Sequence, residues 1–172
     1  MTGGNLLQLP EAITSLGSNA FYDCDGLKEL YLSGKLDGKI NSNVFGSCDN
    51  IQKMTFGYGF TKIPSGICNG LSKLETVICL PDVDTQKSLV DTIDSSAFNG
   101  CEKLSSFVLN SSIKTLGEKA FYNCKALPYV SLDETLTLIP KQAFYNISGL
   151  PLIFRCNYRQ GTEQNNERMN PL

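Results

Sequence analysis

One apolar pattern returns along this chain at steps of 24, 23, 30, 23 and 23 residues, and that period constrains the fold more than any other feature. It is plainest in three segments: NAFYDCDGLKELYL from Asn19, SAFNGCEKLSSFVL from Ser96 and KAFYNCKALPYVSL from Lys119. With the aromatic residue as anchor, six copies align on Phe21, Phe45, Cys68, Phe98, Phe121 and Phe144. Seven columns then run through all six. Five residues before the anchor stand Leu16, Ile40, Ile63, Ile93, Leu116 and Ile139; nine after it stand Leu30, Met54, Val77, Phe107, Val130 and Ile153. Of the 42 aligned positions 41 are apolar, with Arg155 the exception, against about 17 for random placement at this composition.

Polar and small residues keep the same period. Gly17, Asn41, Pro64, Asp94, Gly117 and Pro140 follow the first column, and these turn formers predict a bend in every copy. Two residues past the anchor stand Asp23, Ser47, Gly70, Gly100, Asn123 and Asn146, suited to a second corner. The stretch after that corner reads L-x-x-L-x-L, as in Leu27 to Leu32, and its last three residues alternate like a short strand with one buried face.

A coil of about 23 residues has too little interior to bury its own apolar side chains. Stacking like coils fills that interior and pairs each strand with its neighbours. Leu7 and Leu9 match the last two columns of an earlier, incomplete copy, which brings the expected strand count to seven and the strip to roughly 30 Å at about 4.8 Å per strand.

The pattern F-x-x-L-x-x-L-x-x-L-x-L resembles that of leucine-rich repeats. With Ala-Phe at the anchor and Cys for the first Leu it is similar to the BspA-like subclass, most closely in LPYVSLDETLTLIPKQAF (127–144) and VLNSSIKTLGEKAFYNC (108–124). The resemblance, covering about residues 6–155, implies a leucine-rich-repeat solenoid. A parallel β-strip of about seven short strands lines its concave side, and turns with short helical or 3-10 segments form its convex side. It also implies a secreted or surface-exposed adhesive or protein-binding role. The asparagine that other leucine-rich repeats carry just after the strand is replaced here by Lys35, Gly59, Ser112 and Thr135, so no asparagine ladder is expected there. The expected organisation is a solenoid over 1–156 followed by a polar tail, 157–172, disordered or a partial cap.

Composition narrows the function classes. The net charge is -2 with no basic stripe, so neither nucleic acid nor an anionic membrane surface is implied. No apolar run approaches a membrane span, so membrane insertion is not expected, and the N-terminus lacks the basic and apolar regions of a secretory signal. The chain contains no histidine, the commonest general base and metal ligand. Without it no Ser-His-Asp or Cys-His arrangement can form, and GYGFTK at 57–62 lacks the spacing of a phosphate loop. The reading is therefore of no enzyme, no catalytic residue, no cofactor and no metal site. Asp82 and Asp84 invite a calcium reading but lack EF-hand spacing and fit a solvated loop.

Four of the seven cysteines, Cys24, Cys48, Cys101 and Cys124, share one column with Leu71 and Ile147. That exchange points to buried free thiols filling an apolar position rather than to disulfides or zinc. Cys68 and Cys79 read as core, and Cys156 as the exposed, reactive one. Asn110-Ser-Ser and Asn146-Ile-Ser match the glycosylation acceptor pattern.

Between the buried strand positions lie Glu29 and Tyr31, Lys53 and Thr55, Thr76 and Ile78, Ser106 and Val108, and Tyr129 and Ser131, predicted to face the concave side. They form the candidate binding surface for a protein ligand. Good strand-forming propensity explains the same Thr, Val, Ile and Tyr residues without a ligand. A second candidate is the insertion at 80–92, thirteen residues where six serve elsewhere. The chain opens partway through a repeat with no polar cap, so further repeats or self-association through the solenoid ends are expected to cover them. The alternative reading of the whole chain is a spacer or scaffold domain of a larger surface enzyme or structural protein.

Overall fold

The computed structural model describes residues 5–10, 12–109 and 111–148, and the backbone of 152–155. Its strands are β1 (Leu6–Gln8), β2 (Glu29–Leu32), β3 (Lys53–Phe56), β4 (Lys62–Ile63), β5 (Thr76–Cys79), β6 (Thr92–Ile93), β7 (Ser106–Leu109), β8 (Thr115–Leu116), β9 (Val130–Asp133) and β10 (Leu152–Arg155). All pairings are parallel. Successive coils meet along up to three backbone ladders, as expected of a stacked repeat solenoid.

The first ladder is the expected strip. β1, β2, β3, β5 and β7 form one sheet in chain order, and β9 pairs with β10 in a second. Seven strands are present as predicted, but in two sheets instead of one. The cause is visible in the backbone. Gln52, Glu75 and Ser105 each donate their N–H to the preceding coil, to the carbonyls of Lys28, Gln52 and Glu75. The equivalent residue of the next coil is Pro128, which has no N–H. Instead of meeting β7, β9 takes Ile113 as its neighbour: Ile113 donates to Ser131 and accepts from Asp133.

The second ladder is carried by β4, β6 and β8, with an isolated bridge between Leu16 and Ile40. Here Asn41, Asp94 and Gly117 donate to Leu16, Ile63 and Ile93. The two positions where the ladder stops carry Pro64 and Pro140, again without a donor.

The third ladder runs along the turns. The anchor N–H donates to the next coil in Phe21 to Val44, Cys68 to Ala97, Phe98 to Ala120 and Phe121 to Ala143, at 2.8–2.9 Å. Both predicted corners exist. Gly17, Pro64, Asp94, Gly117 and Pro140 each open a turn closed by the N–H three residues on. The residues two past the anchor, Asp23 to Asn146, are left-handed in every copy, with φ between 56° and 82°. This face consists of linked turns; the one 3-10 segment among the described residues, Gly34–Leu36, lies after β2, not on the turn face.

The interior is one cluster in which nearly every predicted column residue takes part. Phe21 stacks on Phe45 at 5.6 Å, Phe98 on Phe121 at 5.3 Å, and Phe121 on Phe144 at 5.7 Å. The anchors thus line one ridge, interrupted where Cys68 replaces the aromatic ring. Phe107 packs edge-on against both Phe98 and Phe121. The exceptions lie toward the ends: Ala20 is exposed and Ile139 is 45% exposed, and among the described residues no coil pairs against that flank of either. The polar tail 157–172 and the side chains of Ile153 and Arg155 lie outside the described residues.

Phe98→Ala removes a ring buried between two aromatic neighbours and leaves a cavity. The expected loss is about 3–5 kcal/mol by urea unfolding. Phe21→Ala, stacked on one side and only partly buried, is expected to cost clearly less by the same measurement.

Candidate functional site

The strand face is built by the first ladder. Register aligns Glu29 with Lys53, Lys53 with Thr76, and Thr76 with Ser106; one residue along each strand turns back into the core, and the next aligns Tyr31, Thr55, Ile78 and Val108. Side chains in the first row lie beside one another, and Lys53 Nζ donates to Glu29 Oε2 at 3.3 Å with both side chains about half exposed. The second row contains no charge. Tyr31, Thr55 and Ile78 are half-buried, and Val108 is exposed.

Tyr31 has room because Gly57 follows β3. A methyl group at Gly57 would sit 2.7 Å from the Tyr31 hydroxyl and 2.9 Å from the Leu32 carbonyl. The ring therefore lies against the neighbouring coil instead of standing free. Val108 is open for the opposite reason: the residue expected beside it, Ser131, belongs to the other sheet. Four of the five residues of the central row are thus brought together, and Ser131 is not. The Ser131 hydroxyl is buried, with no hydrogen-bond partner among the described residues, and it is not presented to a ligand on this face. Tyr129 precedes β9 and is exposed, likewise off the main sheet.

The insertion at 80–92 is a closed loop. Asp82 donates its N–H to Lys87 O and accepts from Gln86 N, while its Oδ1 accepts from Thr85 N, Thr85 Oγ1 and Asp84 N. The Thr85 amide and hydroxyl hold the Asp82 carboxyl below the usual carboxylate range. Asp133 is held low in the same way by the Thr135 hydroxyl and amide. Both carboxylates are engaged by their own turns, and no group of three or more metal-ligating side chains occurs among the described residues. Ser88 and Val90 are buried where the loop returns, leaving Val83 and Leu89 exposed.

The cysteines are free thiols among the described residues, and all but Cys24 are buried. Their column has a role that the apolar exchange did not disclose. Cys48 Sγ donates to the Phe21 carbonyl at 2.9 Å, Cys101 to Cys68 at 3.1 Å and Cys124 to Phe98 at 3.0 Å. Each thiol thus bonds the anchor carbonyl one coil back. Burial pushes Cys79 and Cys124 up to about 12 and raises Cys48, Cys68 and Cys101 as well. Cys156 lies outside the described residues, as does Asn110; Asn146 Nδ2 donates to Asn123 Oδ1 at 2.9 Å. A matching pair joins Asn43 to Asn19 at 2.8 Å. Asparagine pairs therefore do exist, at left-handed turn positions instead of after the strand.

A family model for the BspA type leucine rich repeat region, in six copies, matches residues 4–89 and 80–157. The chain belongs to the BspA-type leucine-rich repeat family. Among solved structures, a leucine-rich repeat protein from Eubacterium ventriosum ATCC 27560 is 29% identical, with a TM-score of 0.68 over 92% of this chain and 39% of that one. A leucine-rich repeat protein from Bacteroides ovatus ATCC 8483 is 24% identical, with a TM-score of 0.58 over 88% of this chain and 42% of that one. A leucine rich cell surface protein from Faecalibacterium prausnitzii A2-165 is 18% identical, with a TM-score of 0.55 over 90% and 33%. The last two share the fold alone. This chain spans between a third and about two fifths of the length of these proteins. No curated protein matches it. No helix of the described residues is long and apolar enough to cross a membrane.

In the unfolded chain each cysteine ionises near its ordinary value of 9.0, whereas Cys79 and Cys124 in the fold stay protonated to about 12. The unfolded state therefore binds fewer protons between those limits, and stability falls as pH rises through that window. Unfolding midpoints in urea at pH 8, 9.5 and 11 are expected to decline in that order, and Cys79→Ala with Cys124→Ala to flatten the decline. At pH 8 a thiol reagent is expected to label Cys24 and to leave Cys48, Cys68, Cys79, Cys101 and Cys124 unlabelled until the chain unfolds.

Proposed function

We propose that this chain is a non-enzymatic protein-interaction module of adhesive type, displayed at a cell surface, that binds another protein through its strand face. The observation that carries the reading is the in-register row Tyr31, Thr55, Ile78 and Val108, an uncharged line of about 14 Å on a rigid sheet. Rows of aromatic, aliphatic and hydroxyl side chains suit the core of a protein interface, with the flanking Glu29 and Lys53 as its polar rim. A rigid sheet also presents that row without an ordering cost in the binder. The surface location rests on family membership and on the relative described as a cell surface protein. The absence of an enzymatic role rests on chemistry: there is no histidine, the Asp82 and Asp133 carboxylates are engaged in turns, and the column thiols are buried.

The test is capture of surface proteins with the chain as bait, comparing it with a variant carrying Tyr31→Glu, Ile78→Lys and Val108→Glu. The variant is expected to lose at least tenfold of the captured partner while keeping the parent circular-dichroism spectrum. Capture that is unchanged in a folded variant would reject the strand face and favour a spacer domain.

A further inference from the structure

The places where the ladders stop are not scattered at random. Between the coil of β7 and β8 and the coil of β9, two ladders fail at once. The strip loses its β7 to β9 pairing at Pro128, and the second ladder ends at β8, where the residue aligned with the donors Asp94 and Gly117 is Pro140, with no N–H to give. Among the described residues, the backbone bonds across this seam are those of the turn ladder, Lys119 to Lys141, Phe121 to Ala143 and Asn123 to Tyr145, and the Ile113 to β9 bridge, joined by the Asn146 to Asn123 amide pair. On the turn side the seam is well made: Phe121 stacks on Phe144, and Tyr122 on Tyr145 at 4.8 Å.

On the opposite side it gapes. A cleft of about 200 Å³ opens there, lined by Lys114, Thr115, Leu116, Leu136, Thr137 and Leu138. Apolar side chains are uncovered on both coils: Leu138 in the cleft is 68% exposed, and on the strand face Val108 is 43% and Tyr129 48% exposed. The seam beside Pro64 differs. It lacks its second-ladder pairing and the anchor bond of the turn ladder, but β2 and β3 remain fully paired across it, and Val44, Phe45 and Cys48 beside it are buried.

We propose that the seam between β8 and the 136–138 segment is a joint, at which the coil carrying β9 opens as a unit about the turn ladder. Pro128 and Pro140 create the joint by removing one donor from each of two ladders on the same side. The turn ladder and its aromatic stacks act as the hinge edge. The strand face is accordingly two plates, β1 to β7 and β9 with β10, whose relative tilt is set at this seam and not by the repeat. The joint does not depend on what the strand face binds.

Native-state hydrogen exchange on the full chain tests it. The Lys119, Phe121 and Asn123 amides bond across the seam, and the Ser96, Phe98 and Gly100 amides make the same bonds one coil earlier. The first set is expected to exchange at least tenfold faster. Pro128→Ser with Pro140→Asn puts the residue types of Ser105 and Asn41 at the broken positions and restores both donors. It is expected to cut that ratio at least threefold. Pro64→Asn, acting on a different seam, is expected to leave it unchanged. Equal exchange of the two sets in the parent would overturn the joint. So would a ratio unmoved by the paired substitution, which is what simple fraying of the last coil predicts, or one that Pro64→Asn moves equally. Should the double variant fail to fold, each single variant carries the same comparison.

Discussion

Every feature of this molecule depends on one coil lending its backbone to the next. A repeat of 23 residues closes a loop but not a core, and its apolar columns become interior only when another coil lies against them. The anchors show this directly: each phenylalanine that meets another stacks nearly parallel, 5.3–5.7 Å away. Where the ladders run, the backbone donors and acceptors on the flanks of a coil are satisfied the same way. Folding is thus a matter of nearest neighbours, and a defect at one seam stays at that seam.

The cysteine column shows how a single residue type answers two demands of such stacking. The position must be apolar, because it lies inside, and leucine or isoleucine can fill it. Yet it also lies beside a carbonyl of the preceding coil that still has a lone pair to share, and a thiol can donate weakly to it. Cys48, Cys101 and Cys124 do so, while Leu71 fills the space and leaves the bond unmade. Asparagine plays the corresponding part on the outside. It tolerates the left-handed turn positions, and once stacked in register its amide reaches the next one, as in Asn19 with Asn43.

The interior was legible residue by residue. Leu30, Met54, Val77, Phe107 and Val130 are buried where the columns place them, and the residues two places past each anchor are left-handed as the turn formers there require. The strand face was legible as far as β7. Tyr129 and Ser131 looked equivalent to the residues above them, because their column pattern is intact. Pro128 stood in plain view, but its effect depends on knowing that the N–H of that position, and not of its neighbour, is the one spent on the preceding coil. Pro140 was readable as a turn former and is one; that it also silences a ladder could not be read from the turn alone.

The sequence by itself determined the coil: its period, the residues that face inward, the two corners and the seven strands of the strip, though not the short strands β4, β6 and β8. These follow from side-chain polarity and backbone preference within some two dozen residues, and a local pattern is enough to specify them. Only the tertiary structure decided how coil meets coil, where ladders persist or stop, which thiol finds a carbonyl, and why Val108 is open while Tyr31 lies against its neighbour. Those outcomes depend on pairs of groups 21–33 residues apart, and a hydrogen bond exists only when both partners arrive in register.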